Sequence, residues 1–147
     1  RAGTENIQGI LGLGAAMEEA YENMERIEAT EEEIHEYLER RLKNEIEDVK
    51  INGEKSHRLK TITNLCLKGC DIQTLLIALD LRGICVSGGS ACMSGAHEDS
   101  YVLREMGLNS EELGSSFRIS IGKDTTIEEI DYFVENLKEI AKIERGK

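Results

Sequence analysis

The chain has 147 residues, 39% of them hydrophobic and 32% charged, and a formal net charge of −11. A chain of this length can bury a core without disulfide help, and the composition is globular rather than disordered or collagenous. No apolar run approaches the roughly 20 residues of a membrane-spanning helix, and the acidic balance has the wrong sign for neutralising nucleic-acid phosphates. Residues Arg1 to Asn6 carry no signal-peptide core, and position 1 is not Met. The expectation is a cytoplasmic protein that is a piece of a longer one.

In chain order, Ile7, Ile10, Leu11, Met17, Tyr21, Met24 and Ile27 recur at helical steps, with Thr4 or Asn6 as caps. Thr30 and Glu33 form a capping-box pattern that predicts a second helix presenting Ile34, Tyr37, Leu38, Leu42 and Ile46 to a core. Between Glu18 and Asp48 thirteen Asp and Glu face four Lys and Arg, a local −9, read as the solvated side of these two helices. Val49 to Ile51 and Thr61 to Leu67 are strand candidates, the first closed by Asn52-Gly53. Asp71 caps a helix through Leu75, Leu76, Ala78 and Leu79 that stops at Gly83, and Ile84 to Val86 predicts a further short strand. Seven of the nine residues from Ser87 to Gly95 are Gly, Ser or Ala, which predicts a loop. Ser100 to Met106 reads as a helix, Phe117 to Ile121 as a strand, and Thr125 and Glu128 as the cap of a last helix on Ile127, Ile130, Phe133, Val134, Leu137 and Ile140. The order ααββαβαβα implies a two-layer α/β sandwich.

Four cysteines stand at 66, 70, 85 and 92, a spacing unlike a zinc site. Cys66 and Cys85 fall in apolar strand candidates and read as small buried hydrophobes. Cys92 lies in the Gly- and Ser-rich loop with nothing to bury it, where a thiol has the access a nucleophile needs. Arg118 interrupts the apolar alternation of Phe117, Ile119 and Ile121. A buried arginine there would require an anion, either a structural carboxylate or a substrate carboxylate gripped by its fork. Gly9, Gly12 and Gly14 follow no strand, which excludes a dinucleotide loop. His35 reads as a solvated helix residue, and His97 is a candidate base near Cys92.

The segments Arg1-Ala2-Gly3-Thr4-Glu5-Asn6, Ser87-Gly88-Gly89-Ser90-Ala91-Cys92, Ser100-Tyr101-Val102-Leu103-Arg104 with Met106-Gly107-Leu108, and Ser115-Ser116-Phe117-Arg118-Ile119-Ser120 together resemble the cysteine desulfurases. These are pyridoxal-phosphate enzymes of the aminotransferase class V family. The resemblance covers essentially the whole chain but only the C-terminal portion of such an enzyme. It implies the small C-terminal domain of the fold type I architecture at 29–147, preceded at 1–28 by an interdomain, dimer-facing helix. Lys60-Thr61 stands where the family usually has Pro-Asn, Asp99 where it has a proline, and Gly88 where it has a serine.

The implied activity takes sulfur from L-cysteine, leaving L-alanine and a persulfide. The resemblance makes Cys92 the nucleophile and Arg118 the grip on the substrate carboxylate. It makes Thr4 the residue that reaches the cofactor phosphate of the other subunit in a homodimer. It further implies a sulfur-acceptor protein, such as an iron–sulfur scaffold; the cysteine spacing, the acidic charge and the lack of a long apolar run already set aside metal, nucleic acid and membrane as ligands. The lysine, histidine and aspartate that hold the cofactor belong upstream, so this chain alone is expected neither to bind it covalently nor to turn over cysteine. The alternative is a non-catalytic interaction or sulfur-acceptor module derived from the same domain.

Overall fold

Alternation along three short strands sets the architecture. The computed structural model describes residues 2–88 and 100–146. Strands β1 (Val49–Asn52), β2 (Ile62–Leu67) and β3 (Ser116–Ser120) form an antiparallel sheet in the order β1-β2-β3. The register sets Ile51 opposite Leu65 and Leu65 opposite Phe117, so these large apolar side chains share one face. Helices α1 (Ile7–Glu45), α2 (Ile72–Asp80) and α5 (Ile127–Arg145) cover that face. Leu38, Leu42, Leu65, Leu75, Leu79, Phe117, Val134 and Leu137 close a single core between the layers. This is the two-layer α/β sandwich expected from the element order.

The helices differ from the sequence expectation in three places. A single 39-residue α1 replaces the two helices, because the Thr30 hydroxyl bonds back to the Arg26 carbonyl at 3.0 Å rather than capping a new start. The true cap is Asn6, whose side chain accepts from Gly9 N–H. The capping box of α5 sits one residue later than expected, on Thr126 and Glu129, while Thr125 accepts from the Gly122 amide. Helix α3 (Tyr101–Glu105) matches its expectation and is capped by Ser100 and followed by Gly107, whose φ of +88° suits only glycine without strain. A short α4 (Ser110–Gly114) was not anticipated. Asn109 and Glu112 cap it reciprocally.

Among the described residues, Ile34 is the first buried position along α1. Ile7, Ile10, Leu11, Met17, Tyr21 and Met24 are all more than half exposed. The first half of α1 therefore extends beyond the core as a helix with an uncovered apolar stripe. The second half is fastened twice. The Tyr37 hydroxyl donates to Asp131 of α5 at 2.6 Å, and Arg41 pairs with Glu45, Asp131 and Glu135.

The second fastening overturns the reading of His35 as solvated. His35 is buried at 3% exposure, in helical register with Leu38 and Leu42. Arg58, from the loop after β1, forks onto Glu39 at 2.7 and 2.9 Å, and its Nη1 lies 3.1 Å from His35 Nε2. The Thr63 hydroxyl of β2 donates to Glu39 at 3.2 Å. An arginine can only donate, so its contact with Nε2 is a hydrogen bond only when that nitrogen is unprotonated. Burial pushes the His35 imidazole below its ordinary 6.5, with Glu39 opposing and Arg58 and Lys60 reinforcing the shift. Burial alone would raise the Glu39 carboxyl, but the Arg58 hydrogen bond, His35 and Thr63 hold it below its ordinary 4.5.

Both shifts carry the same sign. The unfolded chain takes up the His35 proton first, so this contribution is complete above pH 6.5 and is lost as pH falls toward the folded value. The stability advantage of the wild type over His35→Gln in urea unfolding should therefore shrink below pH 6.5. An advantage constant across that range would contradict the buried neutral imidazole. Arg58→Ala should cost about 3 kcal/mol at neutral pH, because it strands the buried Glu39 carboxylate.

Candidate active site

The buried alternation of β3 forces its middle residue outward. Phe117 and Ile119 are buried at 1% and 6%, so Arg118 between them emerges on the opposite face of the sheet. Arg118 is exposed, which corrects the expectation of a buried arginine. The core never had to accommodate its charge. Among the described residues it has no ion pair and no side-chain hydrogen bond.

The backbone of Arg118 is held on both sides. It pairs with Asn64 of β2 in the sheet register and with Ser87 in an isolated bridge. Arg118 N–H donates to the Ser87 carbonyl at 2.7 Å, and Ser87 N–H donates to the Arg118 carbonyl at 3.1 Å. This bridge replaces the strand expected at Ile84 to Val86. Those residues run without ladder pairing, and Cys85 is exposed rather than buried.

After Ser87 the chain passes directly over α2. A Cβ at Gly88 would meet Leu76 Cδ1 at 2.8 Å and Ile72 Cγ1 at 3.3 Å. The glycine that replaces the family serine thus permits a close backbone approach. Cys92, together with Gly89, Ser90 and His97, lies outside the described residues.

At one end the open face is roofed by α4. Cys66 and Ser116 are buried beneath it, and Lys50 reaches Glu112 at 2.7 Å. Burial pushes the Cys66 and Cys70 thiols up from their ordinary value, so neither is poised as a thiolate. Among the described residues no group of His, Cys, Asp and Glu is arranged to hold a metal.

Thr4 lies far along the chain from this face. It is exposed, two residues before the Asn6 cap, in a shallow hollow also lined by Gly3, Glu5 and Ile10. A free hydroxyl beside amides that precede a helix suits one phosphate contact, whereas Glu5 adds a like charge. The residues present fit a single contact to a phosphate held elsewhere. Among the described residues they form no cofactor pocket of their own.

The structure therefore brings Arg118 to the residue that opens the Cys92 loop and leaves Thr4 separate. Sequence reasoning missed Asn64, which stands beside Arg118 on the same face. Its signal was available: an asparagine in the middle of an apolar, β-branched strand is as anomalous as the arginine was.

The sequence profile of the aminotransferase class-V family matches residues 1–133. The chain belongs to this family. A cysteine desulfurase of Trichormus azollae is 41% identical over 142 residues, which is 97% of this chain and 36% of that protein. The cysteine desulfurase IscS of Clostridium botulinum strain Hall is 42% identical over 147 residues, 99% of this chain and 37% of that protein. Among solved structures, the NifS-like protein from Rickettsia africae ESF-5 superposes with a TM-score of 0.82 at 34% identity, covering 97% of this chain and 36% of that one. The chain thus spans about 36% of the length of such class-V relatives. Its sheet and helices are the small α/β domain of the aminotransferase fold, with α1 leading into it.

Because Arg118 is exposed and unpaired among the described residues, Arg118→Ala should change the stability of the chain by no more than about 0.5 kcal/mol. Urea unfolding checks this. A loss of about 2 kcal/mol or more would mean that the guanidinium serves the fold.

Proposed function

We propose that this chain is the small domain of a cysteine desulfurase, acting on L-cysteine once joined to the remainder of its enzyme. The observation that carries the reading is the position of Arg118. It is a guanidinium without a carboxylate partner among the described residues, on the open face of the sheet, bonded through its backbone to the first residue of the Cys92 loop. A fork of this kind is matched to a carboxylate by two parallel hydrogen bonds. Arg118 holds the substrate α-carboxylate and so fixes which way the thiol of the amino acid points.

Pyridoxal phosphate, held mainly by the missing part of the enzyme, supplies the electron sink when bound. Cys92 as thiolate attacks the substrate sulfur. The new S–S bond forms as the C–S bond breaks; the C–S electron pair stays with the substrate carbon, which takes up a proton to complete the methyl group of L-alanine, and a persulfide is left on Cys92. Thr4 donates its hydroxyl to the cofactor phosphate of the partner subunit, so the enzyme works as a homodimer. Residues 1–28 form the interdomain and dimer-facing helix, and 29–147 form the domain that carries the cysteine loop. The uncovered stripe of Ile7, Ile10, Leu11, Met17, Tyr21 and Met24 supports this division, since it needs an apolar partner that the small domain does not provide. The persulfide passes to an acceptor protein in the cytoplasm, in the manner of a donor for iron–sulfur assembly.

In the complete enzyme, Cys92→Ala should abolish persulfide formation while leaving the cofactor spectrum intact. Normal sulfide release from that variant would overturn the assignment. Arg118→Ala should weaken L-cysteine binding by about 1.5–3 kcal/mol, read as a raised KM. An unchanged KM would remove the carboxylate role.

A further inference from the structure

Across the open face the register lines up Asn52 of β1, Asn64 of β2, Arg118 of β3 and Ser87 in one row. Cross-strand partners share a face, and the flanking Ile51, Leu65 and Phe117 occupy the other one. Asn52, Asn64 and Arg118 therefore stand side by side above the sheet.

The two asparagines are not equivalent. Asn52 is buried at 6% exposure, and its Nδ2 donates to Asn64 Oδ1 at 2.7 Å and to Ser116 Oγ at 3.2 Å. Ser116 in turn donates to the Glu112 carbonyl, which leaves its hydroxyl oxygen to accept from Asn52. Among the described residues the Asn52 Oδ1 has no partner. The buried amide is thus turned with its donor toward Asn64, although its own acceptor stays unsatisfied.

The consequence lies in Asn64. A carboxamide is planar, so an oxygen turned toward β1 directs the Nδ2 group away from β1, to the side on which Arg118 stands. Among the described residues that Nδ2 has no acceptor. A guanidinium fork and an amide NH2, both unpartnered and in neighbouring positions across two strands, make a donor-only surface. Such a surface recognises an anion with more than two acceptor positions. A carboxylate offers about four lone-pair sites, and an arginine fork uses two of them.

We propose that Asn64 is a second recognition residue for the α-carboxylate of the amino-acid substrate, its Nδ2 donating to the oxygens that Arg118 holds. The inference rests on the reading of Arg118 given above. Asn64 lets the site demand an acid rather than merely attract a negative charge. An amine substrate without a carboxylate would leave two donor groups unmatched, which is the strongest form of rejection a binding site has.

The test is steady-state kinetics of the complete enzyme carrying Asn64→Ala, Arg118→Ala and both together. Asn64→Ala should raise KM for L-cysteine about tenfold, the loss expected for one hydrogen bond to a charged group, with kcat within about twofold. Competitive inhibition by L-alanine should weaken by the same factor, while the cofactor spectrum stays at its wild-type value. In the Arg118→Ala background the further effect of Asn64→Ala should shrink, because both groups bind one carboxylate. If Asn64→Ala does not fold, Asn64→Ser, whose hydroxyl can accept from Asn52 but is too short to reach the substrate, should show the same KM rise. A wild-type KM in Asn64→Ala or Asn64→Ser beside a raised KM in Arg118→Ala would overturn the role of Asn64 alone. A wild-type KM in Arg118→Ala would overturn the carboxylate reading on which it rests.

Discussion

The burial of Phe117 and Ile119 on either side of Arg118 is the constraint from which the site follows. A β-strand presents successive side chains to opposite faces, so a core that takes two neighbours of a residue expels the residue between them. The antiparallel register then decides what stands beside the expelled guanidinium. It sets Asn64 on one flank and Ser87 on the other. A slip of one residue would bury Arg118 and expose Phe117, exchanging a buried aromatic ring for an uncompensated charge. The position of the arginine is therefore as firmly specified as the core itself.

The two faces of the sheet divide the labour. On the helical face, apolar packing is supplemented by the Glu39–Arg58 fork with His35 and Thr63, which joins α1, the loop after β1 and β2. Every charge there has a partner. On the open face, Arg118 and the Nδ2 of Asn64 have none among the described residues. Satisfied buried polar groups specify a structure, whereas unsatisfied exposed donors are available to a ligand. The acidic stretch along α1 follows the same division. Arg41 draws Glu45 into contacts with α5, while the glutamates nearer the start face solvent.

Most of the fold was legible because it is local. The Asp71 cap, the Gly107 stop, the alternation of β3 and the apolar periodicity of α5 each announce themselves within a few residues. Three features were not legible, for one shared reason: short patterns have more than one physical use. Thr30 carries the residues of a capping box, yet in a stretch of strong helix formers its hydroxyl satisfies a carbonyl one turn back. Cys85 lies in an apolar triplet, but the bridge nearby forms at Ser87 and the triplet itself has no ladder pairing among the described residues, so it is not a strand. His35 is polar, yet it falls on the helical line of Leu38 and Leu42 and is buried with them. For Arg118, the sequence marked the residue as anomalous but took burial as its meaning. Its exposure shows the opposite, and the anomaly is the basis of the proposed carboxylate site. Cys92, the residue most plainly marked by its loop, lies outside the described residues, so its part rests on the resemblance and on the Ser87 bridge.

The central claim is that the outward guanidinium of β3 is reserved for a substrate carboxylate. The most direct test is a crystal structure of the complete enzyme soaked with L-alanine, the product expected to retain that carboxylate. The account predicts two parallel hydrogen bonds from the Arg118 guanidinium to the amino-acid carboxylate. An Arg118 paired instead with an acidic side chain of the enzyme, with the carboxylate bound elsewhere, would contradict it.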